Sequence, residues 1–132
     1  ANDRSLAIGA GGTVFVGTRT KGDVYAIPTE VDEGGARRPS GPAVTIASAL
    51  NMPNGVAWRE GSLYVADRGN NRVAVFSAGG KLLGALPVED PYMLAVHRGS
   101  GAVYVLAKGD PPEHVVKFNS RTDTRSACIR PS

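Results

Sequence analysis

Hydrophobic positions along the chain come in short runs of β-branched and aromatic residues, broken by glycine-rich punctuation. Nowhere does a 3.6-residue apolar period persist for the roughly ten positions that a helix needs. The runs predict strands instead. Leu6-Ala7-Ile8 leads through Gly9-Ala10-Gly11-Gly12 into Thr13-Val14-Phe15-Val16, and Val24-Tyr25-Ala26-Ile27 follows after residues 17–22. The same order recurs as Val56-Ala57-Trp58, Leu63-Tyr64-Val65 and Val73-Ala74-Val75-Phe76. It recurs again as Leu94-Ala95-Val96, Val103-Tyr104-Val105 and Val115-Val116-Lys117-Phe118. Each unit closes on a weaker fourth strand, at Val44-Thr45-Ile46, at residues 82–86 and at Ala127-Cys128-Ile129.

Phe15, Tyr64 and Tyr104 hold equivalent places, 49 and 40 residues apart. The first interval is stretched by the segment 28–42, rich in glycine, proline and charge, which predicts a surface loop. Four short strands repeating every 40 to 50 residues are the pattern of β-propeller blades. The predicted fold is therefore all-β. It has about three blades, each a four-stranded antiparallel sheet, and amounts to half of a six-bladed propeller. Residues 1–132 form one segment, with blades at 4–50, 51–89 and 90–130. A three-hairpin sandwich is the competing architecture, and agreement of pattern, order and period favours the blades. The small residue in each first strand (Ala7, Ala57, Ala95) suits a strand crowded near a central axis. The bulky aromatic in each second strand suits the wider space between neighbouring blades.

Three blades do not close a ring, because propellers typically use four to eight. Two end faces are left bare, with Val14, Val16, Val103 and Val105 expected to line them. Such faces exceed what a soluble monomer tolerates. The expected partners are a second copy in a head-to-tail dimer, the remaining blades of a longer propeller, or another protein. The chain opens directly on strand residues, which favours a stretch of something longer.

Composition narrows the picture without naming a role. At 132 residues with 42% hydrophobic and 20% charged positions, the chain suits one globular domain. It has no apolar run near the roughly 20 residues that span a bilayer, so no membrane role is expected. Ala1-Asn2-Asp3-Arg4 has no signal-peptide apolar region, and the compartment stays open. Fifteen Lys+Arg against 12 Asp+Glu gives a net charge of +3, a mild excess that argues against a nucleic-acid binder. The single Cys128 cannot form an internal disulfide, and it reads as a small apolar residue.

Val65-Ala66-Asp67-Arg68-Gly69-Asn70-Asn71-Arg72-Val73-Ala74-Val75-Phe76 resembles the NHL repeat, an apolar pair followed by Ala-Asp, a Gly-Asn-Asn-Arg turn and an apolar strand. Gly69 and the two asparagines suit positive φ, while Asp67 is placed to bind the loop backbone and to pair with Arg72. Ser5-Leu6-Ala7-Ile8-Gly9 with Gly12-Thr13-Val14-Phe15-Val16-Gly17-Thr18-Arg19, and Leu50-Asn51-Met52-Pro53-Asn54-Gly55-Val56-Ala57-Trp58, are similar to sorbosone dehydrogenase-like propellers. That resemblance implies a periplasmic or secreted sugar dehydrogenase using pyrroloquinoline quinone and Ca²⁺. Its catalytic residues would lie elsewhere, since His97 and His114 are the only histidines and neither sits in a sugar-site motif. Pro53-Asn54-Gly55 also resembles the metal-site motif of gluconolactonase and regucalcin-like propellers, in which the asparagine leans into the central channel.

That last resemblance makes Asn54 the weak metal candidate. With the matching positions Arg4 and Tyr92, it forms the candidate channel set. The loops after the second strands carry Arg19, Lys21, Arg68, Arg72 and Lys108, a basic rim on one face if the blades are radial. No catalytic residues are assigned. No Gly-x-Ser-x-Gly elbow, phosphate loop or dinucleotide fingerprint is present, and the carboxylates Asp67, Asp90 and Asp110 fall in different turns. The expected role is an NHL-like scaffold or binding module that needs no cofactor of its own. The alternative is a portion of the quinone-dependent sugar dehydrogenase or gluconolactonase-like enzyme.

Overall fold

A computed structural model describes residues 3–9, 12–18, 22–109 and 112–129. The first sheet takes β1 (Asp3–Ile8), β2 (Val14–Thr18), β3 (Val24–Ile27) and, after the hairpin β4 (Thr29–Val31) and β5 (Arg37–Pro39), β6 (Val44–Ala47). The second takes β7 (Pro53–Arg59), β8 (Ser62–Asp67), β9 (Arg72–Ser77) and β10 (Leu82–Pro87). The third takes β11 (Pro91–Val96), β12 (Val103–Ala107), β13 (His114–Phe118) and β14 (Ser126–Ile129). Every pairing is antiparallel, and strand order in each sheet follows the chain. Three separate four-stranded sheets, with β7 packed between β1 and β11, are three β-propeller blades around one axis. No helix among the described residues is long and apolar enough to cross a membrane.

The segment 28–42 is not the plain loop that its composition predicts. Thr29, Glu30 and Val31 pair with Pro39, Arg38 and Arg37 as a small separate hairpin. Asp32 folds its tip by accepting bonds from the amides of Gly34 and Ala36, both at 2.9 Å. The Arg38 guanidinium, 2.8 Å away, then holds the Asp32 carboxyl below its ordinary range.

Packing follows strand alternation. Phe15 stands on the face of the first blade turned to the second, in a seam with Val24, Leu63, Val65, Ala74 and Phe76. Its ring stacks on Trp58, with centroids 4.9 Å apart. Tyr64 stands on the other face of the second blade, in a seam with Val75, Leu86, Val103, Val105 and Phe118. The aromatic of the second strand thus always looks toward the following blade. Its strand neighbours look back, because side-chain direction has a period of two.

This parity corrects one sequence expectation. Val103 and Val105 do not line a bare end; both are fully buried against the second blade. The open face of the third blade belongs instead to Met93, Tyr104, Leu106 and Val115, which line an apolar groove of about 240 Å³. On the first blade the face opposite Phe15 carries half-buried Val14 and Ile8, the latter 68% exposed, whereas Val16 is buried at 8% exposure and does not line the expected bare end. Cys128 is exposed on the outermost strand.

Candidate functional site

The candidate channel residues share a backbone feature that no residue pattern announced. Each inner strand carries a register shift near its start, between Asp3 and Ser5, between Pro53 and Val56, and between Pro91 and Met93. One extra residue sits in each bulge, so Arg4, Asn54 and Tyr92 hold equivalent positions. Bulges bend a strand and re-aim a side chain. In the second and third blades a positive-φ residue, Met52 (φ 52°) or Asp90 (φ 49°), precedes a fully buried proline, Pro53 or Pro91. The side chain of Arg4 lies outside the described residues.

Asn54 is 8% exposed, and its amide donates to the Tyr92 carbonyl at 2.9 Å, tying the second blade to the third. Gly55 beside it permits that approach, because a Cβ there would stand 3.0 Å from the Met93 Cα and 3.2 Å from the Leu94 nitrogen. Both neighbours are backbone and cannot swing away. Gly55→Ala is therefore expected to destabilise the chain by about 1–3 kcal/mol, the usual cost of overpacking. Urea unfolding checks this, and an unchanged midpoint would show that the inner strands part freely.

These positions do not suit a metal. They offer a carboxamide already donating, a guanidinium residue and a phenol, whereas calcium takes six to eight oxygens led by carboxylates. Among the described residues, no three His, Cys, Asp or Glu side chains gather as a metal site. The two histidines sit at different ends of the third blade, His114 at the bulge end across β12 from Pro91. His97 lies in an exposed turn with Nδ1 3.0 Å from the Ser100 hydroxyl.

Asp67 organises the polar loops above the second blade. It is fully buried and accepts from the Asn51 backbone at 2.7 Å, from the Asn70 amide at 3.0 Å and from Arg72 Nε at 2.7 Å. The backbone it binds therefore belongs to the loop before β7, rather than to its own turn. Of the three residues expected at positive φ, Asn71 alone adopts it, at φ 51°. Gly69 serves closeness instead: its amide donates to the Asn51 carbonyl at 2.7 Å, and a Cβ would collide with the Asn51 side chain at 2.2 Å. Asn71 reaches onward, its side-chain oxygen accepting from the Asp90 amide at 2.9 Å. The motif is a clamp joining three consecutive loops.

The basic rim is partly present. Arg19 and Lys21 lie outside the described residues. Arg72 is spent on Asp67, and Arg68 pairs with Asp90 at 2.5 Å, a bond that raises the Arg68 pKa further. Lys108 lies 3.8 Å from the centroid of the Tyr92 ring and 4.0 Å from Glu113, with Arg68 over the same ring at 5.3 Å. Arg68, Tyr92 and Lys108 thus share one end of the wheel, beside the bulges. Each described cation of the rim has a carboxylate partner, so the rim adds little net field.

Sequence reading missed a second polar site. At the far end of the seam between the second and third blades, a groove of about 340 Å³ is lined by Arg59, Ser62, Tyr64, Ser120, Arg121 and Thr122, among others. Its residues come from three different turns, so no local pattern marks it.

Comparison with known proteins agrees with this architecture. Residues 50–76 match the NHL repeat family. No curated protein sequence matches the chain. Among solved structures, hydrazine synthase of Kuenenia stuttgartiensis superposes with a TM-score of 0.72 at 16% identity, over 95% of this chain and 35% of that one. A chain of the nidogen–laminin complex gives 0.74 at 15% identity, over 96% and 47% respectively. Regucalcin from Agrobacterium tumefaciens, a calcium-binding protein, gives 0.70 at 14% identity, over 92% and 48%. The chain spans roughly a third to a half of the length of these structures. At such identities the likeness concerns the fold: the chain is a three-blade stretch of β-propeller that carries an NHL repeat in its middle blade.

Proposed function

We propose that the chain is an NHL-type scaffold and binding module, supplying three consecutive blades to a closed ring of six. The observation that carries this reading is the unmet equivalence of its ends. Tyr104 stands on an open face where Phe15 and Tyr64 stand inside seams. Val14 stands at the other end, where the corresponding Leu63 and Val103 are fully buried. Each end is thus the missing half of a seam that the molecule already builds twice. A second copy offers both halves in a head-to-tail contact, which closes after two copies if each blade turns by about 60°. Coverage of 47% and 48% of two solved chains by three blades suits half of such a ring. Blades of the same polypeptide would satisfy the ends equally well.

Static light scattering tests the self-association arm. A closed pair is expected at twice 13.7 kDa, and a well-behaved monomer would overturn it. The binding role is proposed without a cofactor. Dye-linked aldose oxidation with added pyrroloquinoline quinone and calcium is expected to give no turnover. Turnover would put the sugar-dehydrogenase reading in its place.

A further inference from the structure

The groove at the far end of the second seam carries an inference independent of how the ring closes. Five residues of β7, about 16 Å at a strand's rise, separate it from the bulge of Asn54. Its floor is Ser62 and Tyr64, 7% and 2% exposed. One wall is the turn Glu60-Gly61, where both residues have positive φ (45° and 79°) and Arg59 pairs directly with Ser62. The facing walls are the β11–β12 turn at Ser100 and Gly101 and the β13–β14 turn at residues 120–122.

The charges in this groove are unevenly matched. Arg59 donates from Nε to the Arg98 carbonyl at 3.0 Å and pairs with Glu60 at 3.1 Å, but the Glu60 side chain is 74% exposed. Arg121 has no ion pair or hydrogen bond among the described residues. Asp123, the carboxylate on the same turn, is committed elsewhere: Arg125 binds it at 3.0 and 3.1 Å and lowers its pKa. The hydroxyls of Ser120 and Thr122 stand 3.2 Å apart, held by the turn. Burial raises the Tyr64 pKa, and the positive charges of Arg121 and Arg59 act against that rise.

We propose that this groove binds a small oxyanion, a phosphate monoester or a carboxylate, through Arg121 and Arg59 with the hydroxyls of Ser62, Ser120 and Thr122. Guanidinium groups present planar forks that match both oxyanions, and hydroxyls complete the shell as donors. The groove lies at the lower end of the volumes that hold small ligands. Arg59 reaches across the seam, so a bound anion would also join the second blade to the third.

The test is amide-shift titration of the intact chain with inorganic phosphate and, separately, acetate. Saturable shifts at Ser120, Arg121 and Thr122 are expected with at least one probe, and the probe that saturates identifies the oxyanion class. Arg121→Gln should weaken that binding by about tenfold or more, since a bond to a charged group is being lost. Glu60→Gln, which removes the groove's own carboxylate, should tighten it. Lys108→Gln at the other end of the blade should change nothing. Unsaturable shifts with both probes would overturn the proposal, as would affinity unchanged in both Arg121→Gln and the groove-filling Ser100→Phe.

Discussion

Replacing Asp67 by alanine is expected to lower the unfolding free energy by about 3 kcal/mol, a large share of the roughly 5–15 kcal/mol that holds a domain together. The carboxylate is fully buried, and all three of its bonds go to different parts of the loop layer. Its removal strands the Asn51 amide and leaves Arg72, 29% exposed, without its anion. Breaking a buried pair from one side costs more than the pair contributed, because the remaining charge keeps its desolvation penalty. Partial exposure of Arg72 keeps the loss at the lower end of that range. Asp67→Asn retains the shape and part of the bonding, so it should fall between wild type and alanine. Urea unfolding of the two variants decides the matter: equal midpoints for wild type and Asp67→Ala would mean that the loops hold without the clamp.

The same residues show what a sequence can and cannot disclose. Strand identity was legible, because β-branched runs, glycine turns and a period near 40 residues all express one repeated packing problem. The Asp67–Arg72 pair was legible as well, since both lie in one short motif. Its reach to Asn51 was not, because that partner sits 16 residues back and is bound through its backbone. The bulges at Arg4, Asn54 and Tyr92 were hidden for a related reason. A register shift is a relation between two strands and leaves no residue signature on either one. The hairpin β4–β5 hid under proline and charge, which mark turns whether or not the flanks pair. Of the four valines expected on the bare ends, Val16, Val103 and Val105 are buried, and only Val14 stands at an open end. Parity carried from Phe15 through Tyr64 to Tyr104 puts the aromatic, not Val103 and Val105, on the open face of the third blade, and a slip of one position exchanges the faces.

Tyr64→Ala and Tyr104→Ala should have unequal consequences despite holding the same place in consecutive blades. Tyr64 is 2% exposed inside a complete seam, so its truncation is expected to cost about 3–5 kcal/mol in any state of the protein. Tyr104 faces the open groove beside Met93 and Leu106, with the Lys117 ammonium 5.7 Å from its ring. In an isolated chain its truncation should cost less than about 1 kcal/mol, as at a surface position. In a closed ring the following blade buries Tyr104 as the third blade buries Tyr64, and the cost should rise toward that of Tyr64→Ala. A ring of two chains has two such seams, so the difference counts twice and appears as weaker association, on the order of ten-thousandfold in dissociation constant for about 3 kcal/mol per seam. Urea midpoints read at several protein concentrations separate these cases. A Tyr104→Ala penalty that grows with concentration places the ring between copies. A small penalty at every concentration means that the end face stays open in this chain, and that whatever covers it comes from another source.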